Sequence, residues 1–265
     1  MPSTTLPTAF RPDWLAQPKG PHAWQPGPTW RGLHVLVTGG TRGLGRALVK
    51  ALLARGAAVT ATGTDEVRLA AARRALPEAR WLACDLIDPA ERRDLLQALA
   101  GLPLDALIHH AGLKAARDFG AAGTESEAPL ADELDLNLLA PIALTQALWP
   151  ALRQSAAQRR GGIVALTPAA WARGPHSTSP VLQAAQAGLQ AFAQSLRLHS
   201  EVRGDGVRVL CAKPGLSASC DPWAPLHDAA NTLLDALEDG EEQWTWDAAG
   251  GLQRSLGGSL VGRLY

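Results

Sequence analysis

The chain has 265 residues, of which 46% are hydrophobic and 19% charged, so it is not a disordered chain and can bury the core of one α/β domain. Lys+Arg and Asp+Glu balance at 25 each, which leaves no net charge to draw it to nucleic acid or an anionic membrane surface. Three cysteines (Cys84, Cys211 and Cys220) make no spaced metal cluster, no apolar run is long enough to span a bilayer, and the N-terminus lacks a secretory pattern. Unpaired thiols point to a reducing compartment, so the cytoplasm is the expected location.

Residues 1–30 carry Pro7, Pro12, Pro18, Pro21, Pro26 and Pro28 beside Trp14, Trp24 and Trp30. Proline denies this stretch a regular helix, yet tryptophan surface must be buried somewhere. The expectation is an arm lying across the body or a neighbouring subunit, followed by a single domain over 31–265. From residue 33 strands and helices alternate. Strands are expected at 34–38, 58–62, 80–84, 106–109, 162–167 and 207–212, with a last one near 243–246. Helices are expected at 44–55, 65–76, 89–100, 130–150, 180–203 and 226–238. Gly56 is the stop of the first, Asp65 and Asp88 are N-caps, and Pro89 occupies a first turn. The fourth helix has room to bend at Pro141 and to run on toward Arg159. Such alternation predicts a doubly wound parallel sheet in three layers, α/β/α, with ligands at the carboxyl ends of the strands.

One stretch organises the rest. Val35–Val37 is a buried apolar run, and a glycine-rich turn follows it. Leu44, Leu48, Ala51 and Leu52 then recur at helical spacing. Glycines let the backbone approach a ligand, and the helix that begins there turns its free N–H groups toward the turn, the setting for a pyrophosphate. The spacing is Thr38-Gly39, three residues, Gly43, one residue, Gly45. It resembles the short-chain dehydrogenase/reductase family over residues 31–250. The resemblance implies a Rossmann-type fold and a nicotinamide nucleotide held by Thr38, Gly39, Thr41, Arg42, Gly43, Leu44 and Gly45. It adds Asp85 and Leu86 after the third strand, Ala111 and Gly112 after the fourth, and Pro214 and Gly215 after the sixth. His109-His110-Ala111-Gly112 stands where the family has Asn-Asn-Ala-Gly, and the histidine pair reads as structural donors to the central sheet rather than metal ligands. The end of the second strand, Thr62-Gly63-Thr64, has no carboxylate for ribose hydroxyls, and Arg42 suits a 2′-phosphate. NADP(H) is therefore expected, with NAD(H) the alternative.

The catalytic half departs from the family, whose active members use Ser, Tyr and Lys with a supporting Asn. Asn137 matches that Asn. The stretch Gln186-Ala187-Gly188-Leu189 sets a register that puts Leu182 at the Tyr position and Gln186 at the Lys position. Pro168 or Ala169 falls where Ser belongs, with Thr167 one residue early. The only tyrosine is Tyr265, and none of the four lysines (Lys19, Lys50, Lys114 and Lys213) lies in that helix. His176, in the loop before the helix, is a speculative proton donor. Arg173, Ser177, Thr178 and Ser179 share that loop, and Lys114 and Lys213 follow strands. Cys220 has no activating neighbour and reads as inert.

The sequence thus predicts a nucleotide-binding protein of this family with a degenerate catalytic site, acting as a regulatory, ligand-binding or scaffold subunit. One alternative is an NADPH-dependent oxidoreductase with a non-standard proton donor such as His176. Another is a structural partner that binds no nucleotide. The two long helices suggest a homodimer or homotetramer, or a pairing with an active homologue, through Leu144, Leu148, Trp149, Leu189, Phe192 and Leu196. An unknown small molecule is the remaining partner.

Overall fold

The computed structural model describes residues 29–115, 130–167, 179–215, 224–240, 243–247 and 251–254. Val35, Leu36 and Val37 of the first strand are all fully buried, which a central parallel strand covered on both faces requires. The elements in order are β1 (His34–Thr38), α1 (Gly43–Ala54), β2 (Ala58–Gly63), α2 (Glu66–Ala75), β3 (Arg80–Ala83), α3 (Pro89–Leu99) and β4 (Ala106–His109). Then come α4 (Leu130–Leu134), a π-helical turn (Asp135–Leu139), α5 (Ala140–Ala157), β5 (Ile163–Leu166), α6 (Pro180–Arg203), β6 (Arg208–Gly215), α7 (Ala224–Glu238), β7 (Gln243–Asp247) and β8 (Gly251–Arg254).

The strands form one sheet in the order β3-β2-β1-β4-β5-β6-β7-β8, parallel except for the antiparallel β7–β8 pair. The pleat divides the core in two. Val35, Val37, Val59, Ala61, Ile108 and Ala165 face α1, α2 and α7, while Leu36, Leu107, Val164, Leu166 and Cys211 face α3, α5 and α6. This is the three-layer doubly wound sheet that the β/α alternation predicts. Strand order reverses between β1 and β4, and their carboxyl ends open the crevice in which such sheets bind ligands.

Local signals explain most boundaries. Gly56 takes φ +81° just past α1, where a left-handed residue closes the helix. Asp65 accepts a 2.9 Å bond from the Arg68 N–H, and Asp88 a 2.6 Å bond from the Ala90 N–H, so both cap their helices. Three expectations need correction. The helix expected over 130–150 is interrupted by a π turn at Asp135–Leu139; Pro141, in the first turn of α5, has no N–H to return to Asn137. Strand β6 runs on to Gly215 instead of ending at residue 212, because Cys211–Gly215 pairs with β7. Its ladder with β5 ends at Cys211, so Pro214 needs no N–H on that side. Finally, β8 follows β7, a strand that the sequence reading lacked.

Trp30 is buried in the core, so the last residue of the expected arm packs on the body. Residues 1–28 of that arm lie outside the described residues. Cys84 and Cys211 are buried. Burial, with Glu91 and Asp85 adding repulsion, pushes the Cys84 thiol up to about 12. Of the residues proposed for subunit contact, Leu144, Leu148 and Leu189 are buried against this chain's own sheet. At the sheet's amino edge, Asp105 is fully buried and accepts from the His34 N–H, Ser155 Oγ and Arg160. Burial alone would raise its pKa, but those donors hold it below the usual carboxylate value. Among the described residues no helix is long and apolar enough to cross a membrane.

Candidate functional site

The carboxyl ends of β1 and β4 are tied together by one hydroxyl. Thr38 Oγ1 accepts from the backbone N–H of His110 at 3.1 Å and of Ala111 at 3.2 Å. The glycine turn is fitted against this tie. Gly39 has φ +70°, and a Cβ on it would lie 2.7 Å from Ala111 Cα. A Cβ on Gly45 would run into Gly39 O and lie 2.6 Å from the His110 ring. Gly43 is different: φ is +55° and among the described residues nothing lies within 4 Å of where its Cβ would point. The first and third glycines allow close packing, while the second keeps the mouth of the turn open. Arg42, exposed, is the extended N-cap of α1 and makes no side-chain cap bond. No acidic side chain stands in the helix's first turn, so its positive end is not neutralised there. Leu44 is buried beneath. This cradle fits a pyrophosphate by its open mouth, the N–H groups at the start of α1 and the helix dipole.

The adenosine side can be traced from β2 and β3. Thr41 stands where a side chain at residue 63 would have to go, because a Cβ on Gly63 would lie 2.5 Å from Thr41 Cγ2. The end of β2 therefore has no carboxylate. Asp65, the nearest acid, is committed to capping α2 and to Arg68. Asp85 is half-buried; its Oδ1 accepts from the Ile87 N–H at 3.0 Å, which shapes the turn after β3, and Leu86 is buried in the core.

The histidine pair is structural in its bonding. His109 Nε2 meets Thr145 Oγ1 at 2.9 Å. His110 Nδ1 donates to the Thr167 carbonyl at 2.8 Å, which links β4 to the end of β5. Burial pushes His109 down to about 3. It also pushes His110 down to about 4, with a smaller push from the Arg42 charge, against the Thr167 carbonyl bond that works the other way. Both rings are neutral at pH 7.

Opposite lies the face to which the sequence resemblance assigns the chemistry. Asn137 sits in the π turn. Its amide donates to Leu113 O at 2.7 Å and Glu133 O at 2.8 Å, and its Oδ1 accepts from the Leu113 N–H. It clamps the chain leaving β4. Glu133, a fully buried acid that the sequence reading passed over, accepts from the Ala115 N–H and extends the clamp. Thr167 is buried, and its hydroxyl donates to His109 O at 3.0 Å, so it serves the sheet. Leu182 and Gln186 lie on the buried side of α6 at 1% and 2% exposure. Lys114 is exposed. Pro214 and Gly215 lie in β6 beside Trp246 and Asp247. His176, Arg173, Ser177, Thr178, Pro168, Ala169, Cys220 and Tyr265 lie outside the described residues.

Comparison with known proteins agrees with this geometry. The family model described as short chain dehydrogenase matches residues 33–224. The uncharacterized oxidoreductase DltE of Bacillus subtilis is 33% identical over 83% of this chain and 90% of its own length. Bos taurus L-fucose dehydrogenase is 31% identical over 78% of this chain and 73% of its own. Among solved structures, a metagenomic short-chain oxidoreductase in complex with NADP superposes with TM-score 0.66 at 26% identity, covering 80% of this chain and 96% of that one.

Proposed function

This chain belongs to the short-chain dehydrogenase family, and from that premise we propose that it is an NADP(H)-binding member that has lost the family's ordinary carbonyl–alcohol chemistry. The observation that carries the reading is the pairing of an open glycine cradle with a buried apolar wall at Leu182. In the proposed complex Gly39, Gly43, Gly45 and the N-terminus of α1 hold the pyrophosphate, Arg42 and Thr41 face the 2′-phosphate, and Asp85 takes the adenine. Ala111, Gly112, Pro214 and Gly215 line the remainder. The NADP complex of the metagenomic relative supports this choice of nucleotide. When bound, the nucleotide supplies a hydride donor or acceptor. What this chain lacks is the partner group: Leu182 cannot hold or deliver a proton, and Gln186 has no charge with which to lower a neighbour's pKa. Asn137, whose side chain clamps the backbone at Leu113, positions the loop after β4.

In this reading the protein is a cytoplasmic regulatory, ligand-binding or scaffold subunit. It forms a homodimer or homotetramer, or pairs with an active homologue. The test is turnover. NADPH oxidation should stay at the buffer rate across a panel of aldehydes and ketones, whereas the double variant Leu182→Tyr/Gln186→Lys should gain measurable reduction of at least one of them. The dehydrogenase and oxidoreductase names of the relatives favour a second reading, an oxidoreductase using His176 as proton donor. Wild-type turnover that disappears in His176→Ala would establish the second reading and overturn the first.

A further inference from the structure

Two polar atoms at the start of α6 are unused by the fold and by the reading above. Ser179 Oγ and Gln183 Nε2 are buried, and neither has a hydrogen-bond partner among the described residues. Ser179 is 1% exposed. Buried polar groups are nearly always bonded, so two orphans one helical turn apart indicate a missing partner shared by both.

Their position says what that partner is. Ser179 is the N-cap residue of a 24-residue helix, yet its hydroxyl makes no cap bond. Pro180 has no N–H, and the Gln183 N–H is bonded to Ser179 O. The N–H groups of Val181 and Leu182 find no acceptor within the helix. No acidic side chain stands in the first turn to offset the dipole. An O–H donor, an amide N–H donor and the positive end of a long helix therefore lie within one turn of one another.

The same face can be followed down the helix. Gln186 lies seven residues beyond Ser179, and Arg197 eighteen beyond, about five full turns on the same side. Arg197 donates through Nε to the Val209 carbonyl of β6 at 3.2 Å. The face thus lies along β6, and its first turn comes to the carboxyl edge of the sheet, where the glycine turn also lies.

We propose that Ser179 and Gln183, at the N-terminus of α6, bind an oxyanionic group of a small ligand: a carboxylate, or a phosphoryl group of the same hydrogen-bonding pattern. This rests on the reading of the sheet's carboxyl edge as the ligand site, and it gives the class of molecule recognised there. The corner accepts oxygen lone pairs and disfavours a cation.

The full-length protein is titrated with glycolate, acetate and inorganic phosphate, with and without NADPH, by calorimetry and thermal melting. Ser179→Ala and the near-isosteric Gln183→Leu are run alongside. The expected result is saturable millimolar binding by the wild type, weakened about tenfold or more in each variant. Ligand-free variants should melt at or above the wild-type temperature, since a buried unbonded polar group is removed. Binding of the organic acids alone assigns a carboxylate, and of phosphate alone a phosphoryl group; binding of both assigns the corner to oxyanions in general. Variants that melt below wild type, anion affinities unchanged by substitution, or no anion binding by the wild type would each overturn the proposal. Anion binding that persists in a protein unable to bind NADPH would overturn the nucleotide reading and leave this one standing.

Discussion

Gly43 and Gly45 are two residues apart and answer to different constraints. Alanine at 45 must displace Gly39 O and the His110 ring, so Gly45→Ala should destabilise the fold by about 1–3 kcal/mol, read by urea denaturation. Alanine at 43 meets no atom of the described residues within 4 Å and bears the left-handed strain of φ +55°, about 1 kcal/mol. Its methyl group enters the open mouth of the cradle. Gly43→Ala should therefore keep most of its stability and lose nucleotide affinity, measured by calorimetry. His110 makes a second prediction. Its folded pKa is lowered from the ordinary 6.5 to about 4, so between those values the unfolded chain binds a proton that the folded chain refuses. The stabilisation is complete above about pH 6.5 and is lost as the pH falls toward 4. His110→Asn should remove about one proton from the slope of unfolding free energy against pH in that window. His109, lowered to about 3, keeps its own contribution in the variant.

Elements were legible where a residue type has a local reason to be where it is. Asp88 with Pro89 announces a helix start, Gly56 a helix end, and Val35–Val37 a central strand. What could not be read depends on neighbours distant in sequence. Strand β6 reaches Gly215 only because β7 pairs with it, and β8 exists only as the partner of β7. The π turn around Asn137 needs the backbone of Leu113 as its second half. Likewise, the bare end of β2 is visible as Gly63, but the reason is a contact with Thr41 that lies 22 residues earlier in the chain. That contact yields a prediction. Gly63→Asp alone should not confer NADH binding, because its side chain collides with Thr41; Thr41→Gly/Gly63→Asp should shift preference toward NADH. Comparative titration with both nucleotides checks this, and a full switch by Gly63→Asp alone would contradict it.

At the scale of the whole molecule, two halves stand on one sheet edge. One is a cradle whose glycines, hydroxyl tie and helix terminus are all present. The other, on the proposed reading, is a wall of Leu182 and Gln186, both buried, where the family resemblance implies Tyr and Lys. The first half was readable because backbone geometry demands glycine at fixed spacing. The second rests on composition, a single tyrosine at the last residue, and turnover assays decide it. The orphaned Ser179 and Gln183 were hidden, since burial without a partner is a property of three dimensions. Nucleotide binding is the claim on which the rest depends. The most direct measurement is calorimetric titration of the full-length protein with NADPH and, separately, NADH. The account predicts saturable NADPH binding in the micromolar range, about 8 kcal/mol, with NADH clearly weaker. No heat and no saturation with either nucleotide would contradict it.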